Sequence, residues 1–238
     1  IVIGQSRRLN QKLSGTQGLA DIDYQLRPFS RNTQLRHEHY SGLDIEIVEN
    51  IGDDIQIQAQ PFRIDHVKKP VYIGGGFPET HAEKLADNKS FSRQLKALAD
   101  DGFPIYAECG GLMYLGEKLI LEGNSYPMVG ILPVAFDFYK KPQGHGYTIV
   151  TVEGENPYYD VGTEIRGHEF HYSRVSNWTG AQSDLVFRMK RGVGIHKDRD
   201  GIVYKNVLAT YTHVHALGTP GWAAALVRNA VKFQKSRQ

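Results

Sequence analysis

The chain holds one cysteine, Cys109, inside the stretch PIYAECGG at residues 104–111. An apolar run ends just before it, and two glycines, Gly110 and Gly111, follow it. A thiol placed there sits where a buried strand turns sharply into a helix, and a side chain on such an elbow stands clear of the sheet. The pattern Ala107-x-Cys109-x-Gly111 is a variant of the nucleophile elbow, with Ala in place of the usual first Gly. The chemistry is that of an activated thiol. A helix start and any neighbouring cation favour thiolate over thiol, the amides after the elbow can hold an oxyanion, and glycine lets a substrate approach the main chain closely. The competing reading is an inert buried cysteine, a common state for free thiols; the strand–turn–helix setting favours the nucleophile.

A thiol nucleophile needs a base, and the chain has ten histidines. Two pairs stand out: His168 and His171 in GHEFHYS, and His213 and His215 in LATYTHVH. Residues two apart in an extended segment point to the same face, so His213 and His215 can lie together, one as base and one orienting it. The plainer reading of His168 and His171 is surface or satisfied core histidine. A metal site is the sharper rival, because imidazole suits zinc. One cysteine, and an HEFH that is one residue short of HExxH, speak against it. A second glycine cluster, GGGFPE from Gly74 to Glu79, follows a strand and either adds amides to the same site or is a plain tight turn. The phosphate-loop pattern GxxxxGK[ST] does not occur in these residues.

These side chains need a scaffold, and the pattern sharpens from residue 70. PVYIGGG reads as a short strand entering the glycine loop. THAEKLADNKSFSRQLKALADDG reads as helix, with Phe91, Leu95 and Leu98 at helical spacing and Gly102 as its stop. FPIYAE is a second buried strand and GLMYLGEKLILEG a second helix. Strand-like pieces follow in TIVTVE, HEFHYSRVS and GIVYKNVLATYTHVH. PGWAAALVRNAVKFQKSR makes a closing helix with Pro220 near its first turn. Upstream, LDIEIVEN and DIQIQAQ alternate as half-buried strands do. The expected fold class is α/β, a three-layer αβα sandwich around a mixed, mostly parallel sheet. Residues 1–69 form a poorly recognised N-terminal segment, an arm plus first strands, and 70–238 the main domain.

Composition narrows the function classes. Hydrophobic residues at 40%, charged residues at 23% and a net charge of +2 describe an ordinary globular protein, with no strong pull toward nucleic acid or anionic lipid. Residues 1–40 carry six Arg or Lys against three Asp or Glu, a slightly basic arm. The longest apolar stretch, MVGILPVAF at 128–136, falls well short of the roughly 20 residues of a membrane span. A lone cysteine and no visible signal peptide suggest a reducing, cytoplasmic setting. The chain begins at Ile1 rather than Met, which suggests an excised domain of a longer protein.

Together YIGGGFPETHAEKLADN, PIYAECGGLMYLG, GHEFHYS and LATYTHVH resemble the class I, triad-type glutamine amidotransferase domain of the cobyrinic acid a,c-diamide synthase and cobyric acid synthase-like family. The resemblance covers roughly residues 70–230. It implies that Cys109 attacks the side-chain amide of glutamine and releases ammonia, leaving a glutamyl thioester for water to hydrolyse. His213 would be the general base and acid. Class I relatives carry Glu two residues later; here that position is His215, the candidate orienting residue. Amides around Gly75, Gly76 and Gly110 would form the oxyanion hole. Glu79, Glu108, His168, Glu169, His171 and Tyr172 are candidate substrate-lining or interface residues, and no metal ligand is assigned. The ammonia would pass to an ATP-dependent synthetase domain or subunit, where ATP and Mg2+ activate a tetrapyrrole carboxylate; no cofactor is expected in this chain. Two alternatives stay open: a different thiol hydrolase on the same fold, and a degenerate subunit that binds a partner or tetrapyrrole without catalysis.

Overall fold

The computed structural model describes residues 70–215, 218–219 and 221–237, together with the backbone of three N-terminal strands. These are β1 (Ile3–Gly4), β2 (Arg36–Tyr40) and β3 (Leu43–Glu49). β3 lies between the other two, parallel to β1 and antiparallel to β2. The strand expected in LDIEIVEN is β3. The strand expected in DIQIQAQ, the rest of the basic arm and Pro220 lie outside the described residues.

From residue 70 the chain runs through β4 (Val71–Ile73), a short 3-10 helix (Pro78–His81), α1 (Ala82–Asp87), α2 (Lys89–Asp100), β5 (Ile105–Glu108) and α3 (Gly110–Leu115). Then come β6 (Lys118–Leu121), β7 (Asn124–Pro127), β8 (Val134–Phe138), β9 (Gly144–Val152), β10 (Glu164–His171) and β11 (Ser173–Trp178). β12 (Leu185–Arg191), β13 (Arg199–Tyr204), β14 (Val207–Thr210), β15 (His213–Val214) and α4 (Gly221–Lys235) complete it. Eight strands form the main sheet in the order β15-β10-β9-β12-β13-β14-β5-β4, and β11-β8-β6-β7 form a second sheet.

The α/β class and the mixed sheet are as expected. The balance of pairings differs: β4, β5 and β14 run parallel, and the other five pairings between described strands of the main sheet are antiparallel. The connections explain it. β4 and β5 are joined through α1 and α2, as parallel strands require, whereas β13 and β14 are joined by two residues, which only antiparallel neighbours allow.

The parallel end is covered on both faces. Ile105 and Ala107 of β5 pack with Leu95, Leu98, Leu112 and Leu115, while Tyr106 between them packs with Tyr158, Phe187 and Leu226 on the opposite side. A period of two with both parities apolar is what a strand between two layers needs. α2 starts at Asn88, whose side chain accepts from the Phe91 N–H at 3.3 Å, and stops where Gly102 takes φ +81°. That stop is the expected one. The helix read in GLMYLGEKLILEG is half right: α3 ends at Leu115, and the rest is the β6–β7 hairpin. Gly116 leaves the helix in an extended conformation against the Val134 carbonyl, and Glu122 and Gly123 both adopt positive φ, as a two-residue hairpin turn demands.

One buried carboxylate fixes the end of β14. Asp200, fully buried, accepts from Thr210 Oγ1 at 2.6 Å and from the N–H groups of Gly201, Tyr211 and Thr212 at 2.9, 2.9 and 3.0 Å. It therefore sets the path of the two residues that lead into β15. Asp200→Ala leaves the Thr210 hydroxyl and the Gly201 and Tyr211 N–H groups without this acceptor, while the Thr212 N–H keeps Thr210 Oγ1 at 3.0 Å; the cost is about 1–3 kcal/mol for each donor that water cannot reach. The expected loss is about 3 kcal/mol or more in urea unfolding; an unchanged unfolding midpoint would contradict this role.

Candidate active site

β5 ends at Glu108 and α3 begins at Gly110, so Cys109 alone makes the turn, with φ 46° and ψ −99°. A residue with a β-carbon is strained there, by roughly 1–3 kcal/mol. Its own backbone holds it in place: the Cys109 N–H donates to the Thr210 carbonyl at 2.8 Å, and its carbonyl accepts from the Met113 N–H at 3.0 Å. The two glycines admit the neighbouring main chain. A β-carbon on Gly111 would collide with the Ile73 carbonyl oxygen, and one on Gly110 would lie 2.7 Å from the N and O of Gly76. The glycine loop after β4 is thereby pressed against the elbow, with Gly76 beside Gly110 and Gly75 against the ring of His213.

The sulfur does not stand clear of the fold. Cys109 is 3% exposed, with Sγ 3.7 Å from the Phe170 carbonyl oxygen of β10. β10 and β15 cover it, because the antiparallel half of the sheet brings both across the elbow. α3 is only six residues long, so its dipole is a minor source of positive charge. The ionisable group that acts with the thiol is His213, whose pKa the Cys109 sulfur raises.

His213 Nδ1 lies 3.3 Å from Glu108 Oε2. Behind the ring, a β-carbon on Gly75 would collide with His213 Cε1. In front, His168 faces it across the β10–β15 pairing, with ring centres 4.8 Å apart and planes at 12°. Burial works against a charged imidazole, but hydrogen bonds with Cys109 and Glu108, and their negative charge, outweigh it and hold the His213 pKa up at about 10. His168 moves the other way: burial and the neighbouring His213 lower its pKa, against a smaller opposing pull from Glu108. Glu108, 2% exposed, also accepts from Tyr72 OH at 3.0 Å and from the Val214 N–H at 3.3 Å. Burial and that carboxylate push the Tyr72 hydroxyl far above its ordinary value.

The other expected residues divide. His215 lies exposed just beyond the end of β15, and its charge acts on His168. The two-residue spacing shares a face only while the strand continues, and β15 stops at Val214; the group at Nδ1 of His213 is Glu108. In β10, the side chains of His168 and Glu169 fall on opposite faces of the sheet. Glu169 accepts from the Val193 and Gly194 N–H groups at 2.7 and 3.2 Å and lies 3.5 Å from His171 Nε2. Burial raises its pKa, but those donors prevail and hold it low. His171 stacks on Tyr211 at 3.7 Å, and its Nδ1 lies 2.8 Å from the Ser173 carbonyl oxygen. These two residues brace the loop after β12 and the chain leading into β15. Tyr172, at the break between β10 and β11, accepts on its carbonyl from the Tyr139 N–H. Glu79 lies in the short helix after the glycine loop; its Oε2 is buried without a hydrogen-bond partner, and burial raises its pKa against a smaller effect of its own backbone N–H. Among the described residues, no group of three or more His, Cys, Asp or Glu is placed to hold a metal ion, and no helix is long and apolar enough to cross a membrane.

A model of the CobB/CobQ-like glutamine amidotransferase domain matches residues 34–221. The chain belongs to that family. It is 42% identical over 158 residues to the cobyrinate a,c-diamide synthase of Magnetococcus marinus, covering 66% of this chain and 34% of that protein. It is 43% identical over 162 residues to the cobyrinate a,c-diamide synthase of Archaeoglobus fulgidus, covering 68% and 35%. The chain thus spans about a third of the length of the curated relatives it matches. Among solved structures, a glutamine amidotransferase is 15% identical with TM-score 0.49, over 67% of this chain and 78% of that one.

Two consequences of this geometry can be measured. Because the folded pKa of His213 lies above its ordinary 6.5, the stability that its charge contributes is complete below pH 6.5 and is lost as pH rises through about 10. Unfolding curves of the wild type and His213→Gln should therefore converge across that window, and parallel curves would contradict it. Gly75→Ala must displace the imidazole, so the His213 titration should move while the fold, followed by circular dichroism, persists.

Proposed function

We propose that the chain is the glutaminase half of an ATP-dependent amidotransferase. The observation that carries the reading is Cys109 on its strained elbow, coupled to an imidazole whose Nδ1 lies 3.3 Å from a buried carboxylate. The thiol proton is held by His213 as an imidazolium, and the sulfur bonds to the side-chain amide carbon of glutamine. The C–N bond breaks, and the imidazolium gives its proton to the departing nitrogen, which leaves as ammonia. Water, deprotonated by the same imidazole, then attacks the thioester and frees glutamate and the thiol. Main-chain N–H groups of Gly75, Gly76 and Gly110 are the donors proposed for the oxyanion in both steps. Glu79 and His168, near the glycine loop and the imidazole, are proposed to line the substrate path.

The family assignment and the relatives named cobyrinate a,c-diamide synthase support a wider reading. The ammonia would pass to an ATP- and Mg2+-dependent synthetase domain or subunit and amidate carboxylates of a cobyrinate-like tetrapyrrole. The decisive experiment is glutamine hydrolysis by Cys109→Ala with its fold intact, measured beside the wild type and, where the synthetase is fused or bound, in its presence with ATP. The expected loss exceeds about 10³-fold, and a glutamine-mimicking alkylator should label Cys109 in the wild type. Turnover at the wild-type rate would end the proposal, and cleavage of peptides in preference to glutamine would favour a different thiol hydrolase.

A further inference from the structure

We propose that Glu108 is the positioning residue of this site, holding the Nδ1–H of His213 so that Nε2 is left for the sulfur of Cys109. The inference deepens the glutaminase reading and rests on it for the role of the thiol. It gives the third place to the residue directly before the nucleophile rather than to the one two positions after the histidine.

Four observations carry it. First, Nδ1 of His213 has a carboxylate oxygen of Glu108 at 3.3 Å. Second, that carboxylate is fixed: Tyr72 OH in β4 donates to the same oxygen at 3.0 Å, and the Val214 N–H in β15 donates to the other at 3.3 Å. Donors from two further strands over-determine its position, and burial strengthens each contact. Third, the remaining groups around the ring are poorly placed for the task. His168 lies face to face with it at 12°, so its ring nitrogens, whose bonding directions lie in its own plane, do not point at Nδ1. His215 lies exposed past the strand end. Cys109 is the group to be activated.

The fourth observation concerns the backbone. Successive residues of a strand point to opposite faces, so Glu108 and Cys109 could not meet one imidazole if β5 ran on. The reversal at Cys109, φ 46°, brings the two neighbours to the same ring. The elbow thus performs two tasks, presenting the nucleophile and placing the carboxylate behind its base.

The test uses ¹⁵N-labelled protein, with His213 assigned by comparison with His213→Gln. In the wild type, the neutral imidazole should carry its proton on Nδ1; a neutral ring protonated on Nε2 would overturn the proposal, and Glu108 itself is left unchanged in this measurement. In Glu108→Gln, the His213 titration midpoint should fall by about one pH unit or more. Its kcat for glutamine should drop on the order of 10²-fold or more, with KM changed less than about threefold. Glu108→Asp, which keeps the charge on a shorter stem, should recover some of the lost midpoint. An unchanged midpoint in Glu108→Gln overturns the assignment, as does an equal displacement in His215→Ala. The titration requires no glutamine, so absence of amide hydrolysis would count against the glutaminase reading alone.

Discussion

The reversal of the chain at Cys109 is the constraint around which the rest of the site is arranged. A single residue joins a fully buried strand to a fully buried helix, and it does so in a backbone region that a side chain with a β-carbon disfavours. Such a conformation persists only where its surroundings leave no alternative. Here the surroundings are main chain rather than side chains: the Thr210 carbonyl on one side, Ile73 and Gly76 on the other, and the first hydrogen bond of α3 beyond. Gly110 and Gly111 are glycine because carbonyl and amide groups of the adjacent loop occupy the space where side chains would go.

The electrostatics follow from that geometry. Glu108 and His213 are both largely withdrawn from water, and neither would readily carry charge alone. Together they share one interaction, with the hydroxyl of Tyr72 and a main-chain N–H taking up the remaining acceptor capacity of the carboxylate. Asp200 has a comparable role at the end of β14. Its carboxylate gathers the donors of Thr210, Tyr211 and Thr212 and so delivers the chain to β15 at the place where the imidazole meets the sulfur. Two buried carboxylates thus position the site, one through the side chain of the base and the other through the backbone that carries it.

β10 shows how one segment serves two ends. Its alternation sends His168 outward to stack on His213 and turns Glu169 and His171 inward, where they secure the 193–194 loop and Tyr211. The motif GHEFHYS reads in sequence as one cluster of functional side chains. In the fold it is a functional face and a structural face of a single strand, separated by the two-residue period.

Much of this was legible in the residues. A thiol's need for a base singled out two histidine pairs, and only the family resemblance pointed to His213 among them. The strand, glycine and helix order around 70–115 and the stop at Gly102 follow from local chemistry, apolar runs and glycine's backbone freedom. The antiparallel half of the sheet, the burial of the thiol and the exchange of His215 for Glu108 at Nδ1 did not. The last two depend on segments far apart in the chain meeting in space, 61 residues for Cys109 and Phe170 and 106 for Glu108 and Val214. Sequence alone determined which groups were available to react, because composition and short-range pattern suffice for that. Tertiary structure decided which of them face each other, because a strand's end and a one-residue reversal change the direction of a side chain without changing its identity.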